Sequence, residues 1–171
     1  MNRTIIKLFF YLCILTALPS YAQNAVHYYF KTMDIRNGLS QNTVYQILQD
    51  RKGFMWFGTK DGLNRYDGLS YRVYKKENSG LGKNFITALY EDHEGNIWIG
   101  TDGGVFIYNP VLDSFTAFNQ TSDKGTVIKD FVTMIGSDEY DNIWISVENQ
   151  GLFCYNHEKR LRNYLHDSGM S

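Results

Sequence analysis

The chain has 171 residues, with 17 Lys and Arg set against 18 Asp and Glu, for a formal net charge of −1. That length suits one ordinary domain, and that balance withholds the basic surface on which nucleic-acid binding depends. Aromatics make up 16% of the chain and 15 glycines punctuate it against two prolines, a composition that favours strands and tight turns over helix.

Residues 1–22 read as a secretory signal. Asn2-Arg3-Thr4-Ile5-Ile6-Lys7 is a short positive region, Leu8 to Leu15 is apolar, and Ser20 and Ala22 are small where a signal peptidase reads. Cleavage is expected before Gln23, and the apolar run is short for a spanning helix. Cys13 follows Tyr11-Leu12, which are too large for a lipid-attachment box. In the mature chain Cys154 stands alone between Phe153 and Tyr155 and reads as a small apolar filler of a strand.

Residues 23–37 lead into the first unit. Val26-His27-Tyr28-Tyr29-Phe30-Lys31 reads as a strand like Tyr71-Arg72-Val73-Tyr74, Phe115-Thr116-Ala117-Phe118 and Leu161-Arg162-Asn163-Tyr164, each of which closes a unit. An orphan outer strand at the start suits a ring closed by its two chain ends, which protects open sheet edges.

The first unit, 38–79, opens on Gly38-Leu39-Ser40. Its inner strand, 43–49, is mostly apolar on both alternating sets, as in a strand covered on both faces. Arg51-Lys52-Gly53 turns into a strand bearing Trp56. Asp61-Gly62 turns back into Leu63-Asn64-Arg65-Tyr66, and Asp67-Gly68 is a hairpin signal before the outer strand. The second unit, 80–125, opens on Gly80-Leu81-Gly82, and the third occupies 126–168. Gly169-Met170-Ser171 matches the head of the first unit, so a fourth is expected to begin at 169–171.

All three tryptophans, Trp56, Trp98 and Trp144, fall at one position of this phrase, 42 and 46 residues apart. A period in the forties with four short strands per unit marks a β-propeller blade. The expected fold is therefore all-β: a partial β-propeller of about three four-stranded antiparallel blades plus an N-terminal orphan outer strand. Three blades do not close a ring, so the chain is expected to be the N-terminal piece of a longer protein.

Gly-Leu-Ser followed by Asp-x-x-Gly-x-x-Trp-x-Gly-Thr-x-x-Gly-Leu-x-x-Tyr-Asp resembles the two-component regulator propeller repeat. Asp50 through Asp67 carries every fixed position. The second copy has Val105 for Leu and Asn109 for Asp. The third has Asp141 and Ser146 for Gly, Val147 for Thr, and one extra residue before Gly151. The resemblance implies the start of a Bacteroides-type hybrid two-component sensor. In such sensors, exported propellers on the periplasmic side of the inner membrane sense oligosaccharides released from glycans. They signal, as homodimers, to a cytoplasmic histidine kinase. No kinase part is in this chain, and His27, His93, His157 and His166 are not in a phosphoacceptor helix motif. Two other classes stand beside the sensor: a propeller enzyme of the streptogramin-lyase type, and an interaction scaffold without a small ligand.

The tryptophans are read as inter-blade core rather than sugar platforms, since large aromatics dominate core burial. Asp50, Asp92 and Asp138 each precede a turn and are read as caps of backbone N–H groups rather than metal ligands or general acids. Gly62, Gly104 and Gly151 are expected at positive φ. No catalytic residue, metal or cofactor is expected, and no nucleic-acid contact. Strand direction puts the lead-ins to the inner strands and the turns after the Trp strands at one end of the array. Candidate ligand-binding residues there are Gln41 and Asn42, Lys60 and Asp61, Lys83 and Asn84, Asp102, Lys129 and Asp130, and Glu148 and Asn149. They are polar and differ between units, so the repeat itself does not require them. The other expected contact is with the rest of the propeller.

Overall fold

The computed structural model describes residues 28–164. The signal expected at 1–22 and the fourth unit expected at 169–171 lie outside them. Met1–Thr32 and Met33–Ser171 are separate compact units. In the first, residues 28–31 form no strand, which corrects the orphan strand expected at 26–31 over its described part. A strand persists only where a neighbour takes its backbone N–H and C=O groups, and these residues have no such ladder.

The second unit is three antiparallel sheets of four strands. The first holds β1 (Val44–Gln49), β2 (Met55–Thr59), β3 (Gly62–Tyr66) and β4 (Tyr71–Tyr74). The second holds β5 (Ile86–Glu91), β6 (Ile97–Thr101), β7 (Gly104–Asn109) and β8 (Ser114–Ala117). The third holds β9 (Val132–Ser137), β10 (Ile143–Val147), β11 (Gly151–Tyr155) and β12 (Leu161–Tyr164). Each sheet is a meander in chain order, because the connections are short and antiparallel strands can be joined by hairpins. The inner strands β1, β5 and β9 stand side by side, so the sheets face one another as blades.

One local device repeats at each β1–β2-type turn. Asp50 Oδ1 accepts the N–H groups of Lys52 and Phe54, both at 2.9 Å, and its Oδ2 accepts the Trp56 indole N–H at 2.8 Å. Asp92 does the same for Glu94, Asn96 and Trp98 at 3.0, 2.9 and 2.8 Å. Asp138 does it for Tyr140, Asn142 and Trp144 at 2.9, 3.0 and 2.9 Å. A single carboxylate thus closes the turn and satisfies the indole donor, which must be paired when the ring is buried. The glycine of this turn, Gly53 or Gly95, has φ of +89° or +85°, and Asp141 takes its place at +59°. Asp is among the few residues that visit the left-handed region without a large penalty. At the other end, Gly62, Gly104 and Gly151 close the next hairpins at φ of +123°, +118° and +82°.

Two cores lie between the blades. Trp56, Leu63 and Tyr74 of the first blade pack on Leu81, Ile86, Leu89, Ile97, Ile99 and Tyr108 of the second. Ala88, Trp98, Val105 and Phe118 of the second pack on Val132, Ile135, Ile145 and Phe153 of the third. Trp56 and Trp98 are 1% and 3% exposed, and burying such a side chain stabilises by on the order of 3 kcal/mol. Trp144 is half-buried and rests on Tyr164 with ring centroids 5.6 Å apart. Cys154, opposite Trp144 on β11, is buried.

Blade contact leaves no room for a side chain at Gly58 and Gly100. A Cβ there would meet Ile86 Cγ2 and Val132 Cγ1, each at 2.7 Å. The neighbouring inner strand therefore occupies the space a side chain would need. The third blade carries Ser146 at this position, its hydroxyl 2.9 Å from Thr133 Oγ1. β1 departs from the expected double coverage: Tyr45 and Ile47 are exposed, because among the described residues a blade packs on only one of its faces.

Candidate functional site

At the end where the inner strands begin, the backbone ties turns to lead-ins. Gly62 N–H donates to Asn84 O at 2.8 Å, Asp102 N–H to Phe85 O at 3.3 Å, and Glu148 N–H to Phe131 O at 2.8 Å. The residues nominated from sequence therefore share one end of the array. Each inner strand also slips register near its start, between Val44 and Gln46, between Ile86 and Ala88, and between Ser146 and Val147 opposite β9. Such bulges bend a strand and re-aim its side chains, and they cluster beside functional sites.

Here the structure assembles a row of aromatics that the polar nominations passed over. Tyr45 and Phe85 have ring centroids 4.8 Å apart, and Phe85 and Phe131 meet edge-on at 5.6 Å. Phe85 and Phe131 each stand immediately before an inner strand, and Tyr45 lies at the first register slip. The legible signal was an aromatic at one lead-in position in two successive units. Beside the row lies a cavity of about 390 Å³, lined by Lys60, Lys76, Lys83, Asn84, Phe85 and Asp102 with Gly82. Lys60 Nζ stands 5.9 Å from the centre of the Phe85 ring, a cation–π distance.

Four nominated residues, Lys60, Lys83, Asn84 and Asp102, thus meet in one cavity. The others do not enter it. Asn42 Oδ1 accepts the Ile35 N–H at 2.9 Å and holds the lead-in turn. Gln41 Oε1 is buried without a partner among the described residues. Asp61 pairs with Lys75 at 2.6 Å. Lys129 and Asp130 give their N–H groups to Gln150 Oε1 at 3.1 and 3.2 Å, and Asn149 reaches Asp130 at 3.4 Å. Asn84 has a structural task as well, since its Oδ1 takes the Lys76 N–H at 2.8 Å. The side chains best placed to meet a ligand are therefore Phe85, Lys60, Lys83 and Asp102. Two faces of aromatic ring with ammonium and carboxylate groups beside them can stack on a sugar ring and hydrogen-bond its hydroxyls.

A profile described as the two-component regulator propeller matches residues 38–61 and 80–103, each match starting at the glycine that heads a unit. Histidine kinase P4 of Formosa agariphila is 42% identical over 59 residues, 34% of this chain and 4% of that protein. The extracellular domain assigned to the hybrid two-component system BT3049 of B. thetaiotaomicron superposes with a TM-score of 0.69 at 29% identity, over 78% of this chain and 20% of that one. The corresponding domain of BT4673 gives 0.65 at 28% identity, over 75% and 20%. PorZ of Porphyromonas gingivalis, a surface component of the type-IX secretion system, shares the fold alone, at 0.53 and 16% identity over 68% and 20%. The chain spans about a fifth of each of these solved chains. The first two are extracellular domains of proteins assigned to hybrid two-component systems.

Proposed function

We propose that this chain, which carries repeats of the two-component regulator propeller family, is part of the periplasmic sensor domain of a hybrid two-component system and takes part in binding a glycan-derived oligosaccharide. The observation that carries the reading is the Tyr45–Phe85–Phe131 row with its polar cavity. It is supported by the likeness to the two extracellular sensor domains. The sensor works with the rest of its propeller, as a homodimer, and passes the signal to a kinase on the other side of the membrane. Among the described residues no helix is long and apolar enough to cross a membrane. Among those residues Lys60 and Lys83 have no acidic partner in an ion pair, which biases the cavity towards acidic sugars.

The lyase reading loses ground on position. His93 and Glu94 lie at the turn capped by Asp92, at the end opposite the aromatic row.

Calorimetry of the complete sensor domain against a panel of neutral and acidic oligosaccharides tests the proposal. Heat is expected with at least one member, weakened about tenfold in affinity by Phe85→Ala, consistent with the ~1–3 kcal/mol of a well-packed aromatic contact. Silence across the panel would leave the scaffold reading in its place. A parent gene without a downstream membrane helix and kinase would end the sensor reading altogether.

A further inference from the structure

The end of the array opposite the aromatic row holds two equivalent crevices, one between each pair of blades, and their contents differ. In the first, the Arg65 guanidinium lies over Phe54 and Trp56, at 4.7 and 5.8 Å from the ring centres, and donates to the Tyr108 hydroxyl at 3.0 Å. Arg51 spans the mouth and donates to the carbonyls of Asp92 and His93 at 2.6 and 2.7 Å. In the second crevice the pairing registers put Ile107 where Arg65 stands, opposite Trp98 as Arg65 is opposite Trp56. His93 replaces Arg51 and Asn96 replaces Phe54 at the same positions of the turn. The three side chains that plug the first crevice are each replaced by a shorter one.

What remains is a cavity of about 320 Å³, the size of a small ligand pocket. Trp98, Ile107, Ile143 and Tyr155 form its apolar floor, and Glu94, Asp141 and Asn96 stand on its rim. Tyr155 occupies the position of Tyr108. Its phenol is held above the usual range by burial and by the Glu94 carboxylate, and no hydrogen bond contributes. Tyr155 and Glu94 line this second crevice together, and among the described residues no arginine stands in its lining.

We propose that this second crevice is a binding site for a small organic cation, a guanidinium or alkylammonium compound, seated where Arg65 sits in the first. Its charged end would meet Glu94 and the Tyr155 hydroxyl, over the Trp98 face. Aromatic rings attract a cation most when water is excluded, and the chain already satisfies that geometry once with its own side chain. Glu94, Asp141 and Asp92 outnumber Lys159, which with His93 and His157 supplies the basic groups of the lining. Lys159 holds the position that Asp113 holds in the first crevice, both at positive φ before the outer strand, and it opposes a bound cation. The site is separate from the oligosaccharide face and does not depend on it.

Agmatine and putrescine are suitable probes, with 1,4-butanediol as the neutral control, read by the indole N–H resonances of the three tryptophans in the full chain. The Trp98 resonance is expected to move on titration with either cation while Trp56, beneath Arg65, stays in place. Ile107→Arg refills the crevice and should abolish the shift. Asn96→Phe narrows the mouth without adding charge and should weaken it, which covers the case in which the arginine variant misfolds. Lys159→Glu should tighten binding several-fold. Equal shifts with butanediol, movement of Trp56 alongside Trp98, or no movement at all would each overturn the assignment.

Discussion

The two interfaces between blades join nearly identical frames by different chemistry. The first is laced with polar groups. Tyr108 donates to Asp113 at 2.7 Å, Arg72 pairs with Asp113 at 2.7 Å, and Arg51 pairs with Glu91 at 2.9 Å. Rings of Trp56, Tyr74, Tyr108 and Phe115 pack among them. The Tyr108 hydroxyl has its pKa raised strongly, first by burial and then by its hydrogen bond to Asp113. Asp113 is held below the usual carboxylate range, chiefly by that same bond. The second interface is apolar, with Phe118, Val132, Ile135, Ile145 and Phe153 in the body and the Tyr90–Ser137 hydroxyl pair, at 2.7 Å, at its margin. Blade stacking therefore needs matched surfaces and small contact residues, not one set of partners. Polar networks specify registry at little net gain, whereas apolar burial supplies the stability.

The largest effect should come from the apolar side. Phe153→Ala is expected to cost about 3–5 kcal/mol, since the ring is fully buried and its loss leaves a cavity. Urea unfolding measures it. Asn64, at the matching position of the first blade, is held by Ser40 at 2.8 Å. Its replacement by Ala should cost less, about 1–3 kcal/mol for the polar groups left unpaired. Equal losses would mean that the buried ring of Phe153 contributes no more than the polar cluster around Asn64, which lies on the face of the first blade turned away from the second.

Next in size are the carboxylate turns. Asp92→Ala should cost about 2 kcal/mol, because it strips buried donors including the Trp98 indole. Asp138→Ala should cost less, because water reaches its half-buried turn. The pH dependence sharpens the contrast. Hydrogen bonds from the Asn142 amide and the Trp144 indole lower the Asp138 carboxyl to about 2. A depressed carboxyl contributes stability above its unfolded value, about 3.9, and the contribution fades as pH falls through the folded one. Melting temperatures of the protein and of Asp138→Asn should therefore converge between about pH 4 and pH 2. Parallel curves there would remove Asp138 from the acid response.

Arg65→Met and Arg65→Ala separate charge from contact area in the first interface. The methionine variant keeps the apolar stem but loses the guanidinium that lies over Phe54 and Trp56, and should cost about 1–2 kcal/mol, while the alanine variant loses both and should cost more. The smallest effect is expected at Gly53. Gly53→Asp copies Asp141 of the third unit and should cost under about 1 kcal/mol, while Gly53→Val should cost more at the same φ of +89°. Thermal melts of both variants check it.

Much of this was legible in the residues because it is local. The Asp-to-Trp phrase encodes a turn, its cap and a half-buried strand within a few positions, so three meanders and their spacing follow from the order of residues alone. The end on which the nominated polar residues sit follows too, from strand direction. What the order of residues left open is everything that depends on which blade lies alongside. Phe85, Phe131 and Tyr45 become a row, and Ile107 in place of Arg65 becomes a cavity, only when inner strands stand side by side. The strand expected at 26–31 does not form over its described part, 28–31, for the same reason, since its aromatic alternation is local but a strand's hydrogen-bond partners are not. Turn chemistry is settled by neighbours in sequence. Filled or empty space between sheets is settled by neighbours in three dimensions, where one shortened side chain alters what the opposite blade can touch.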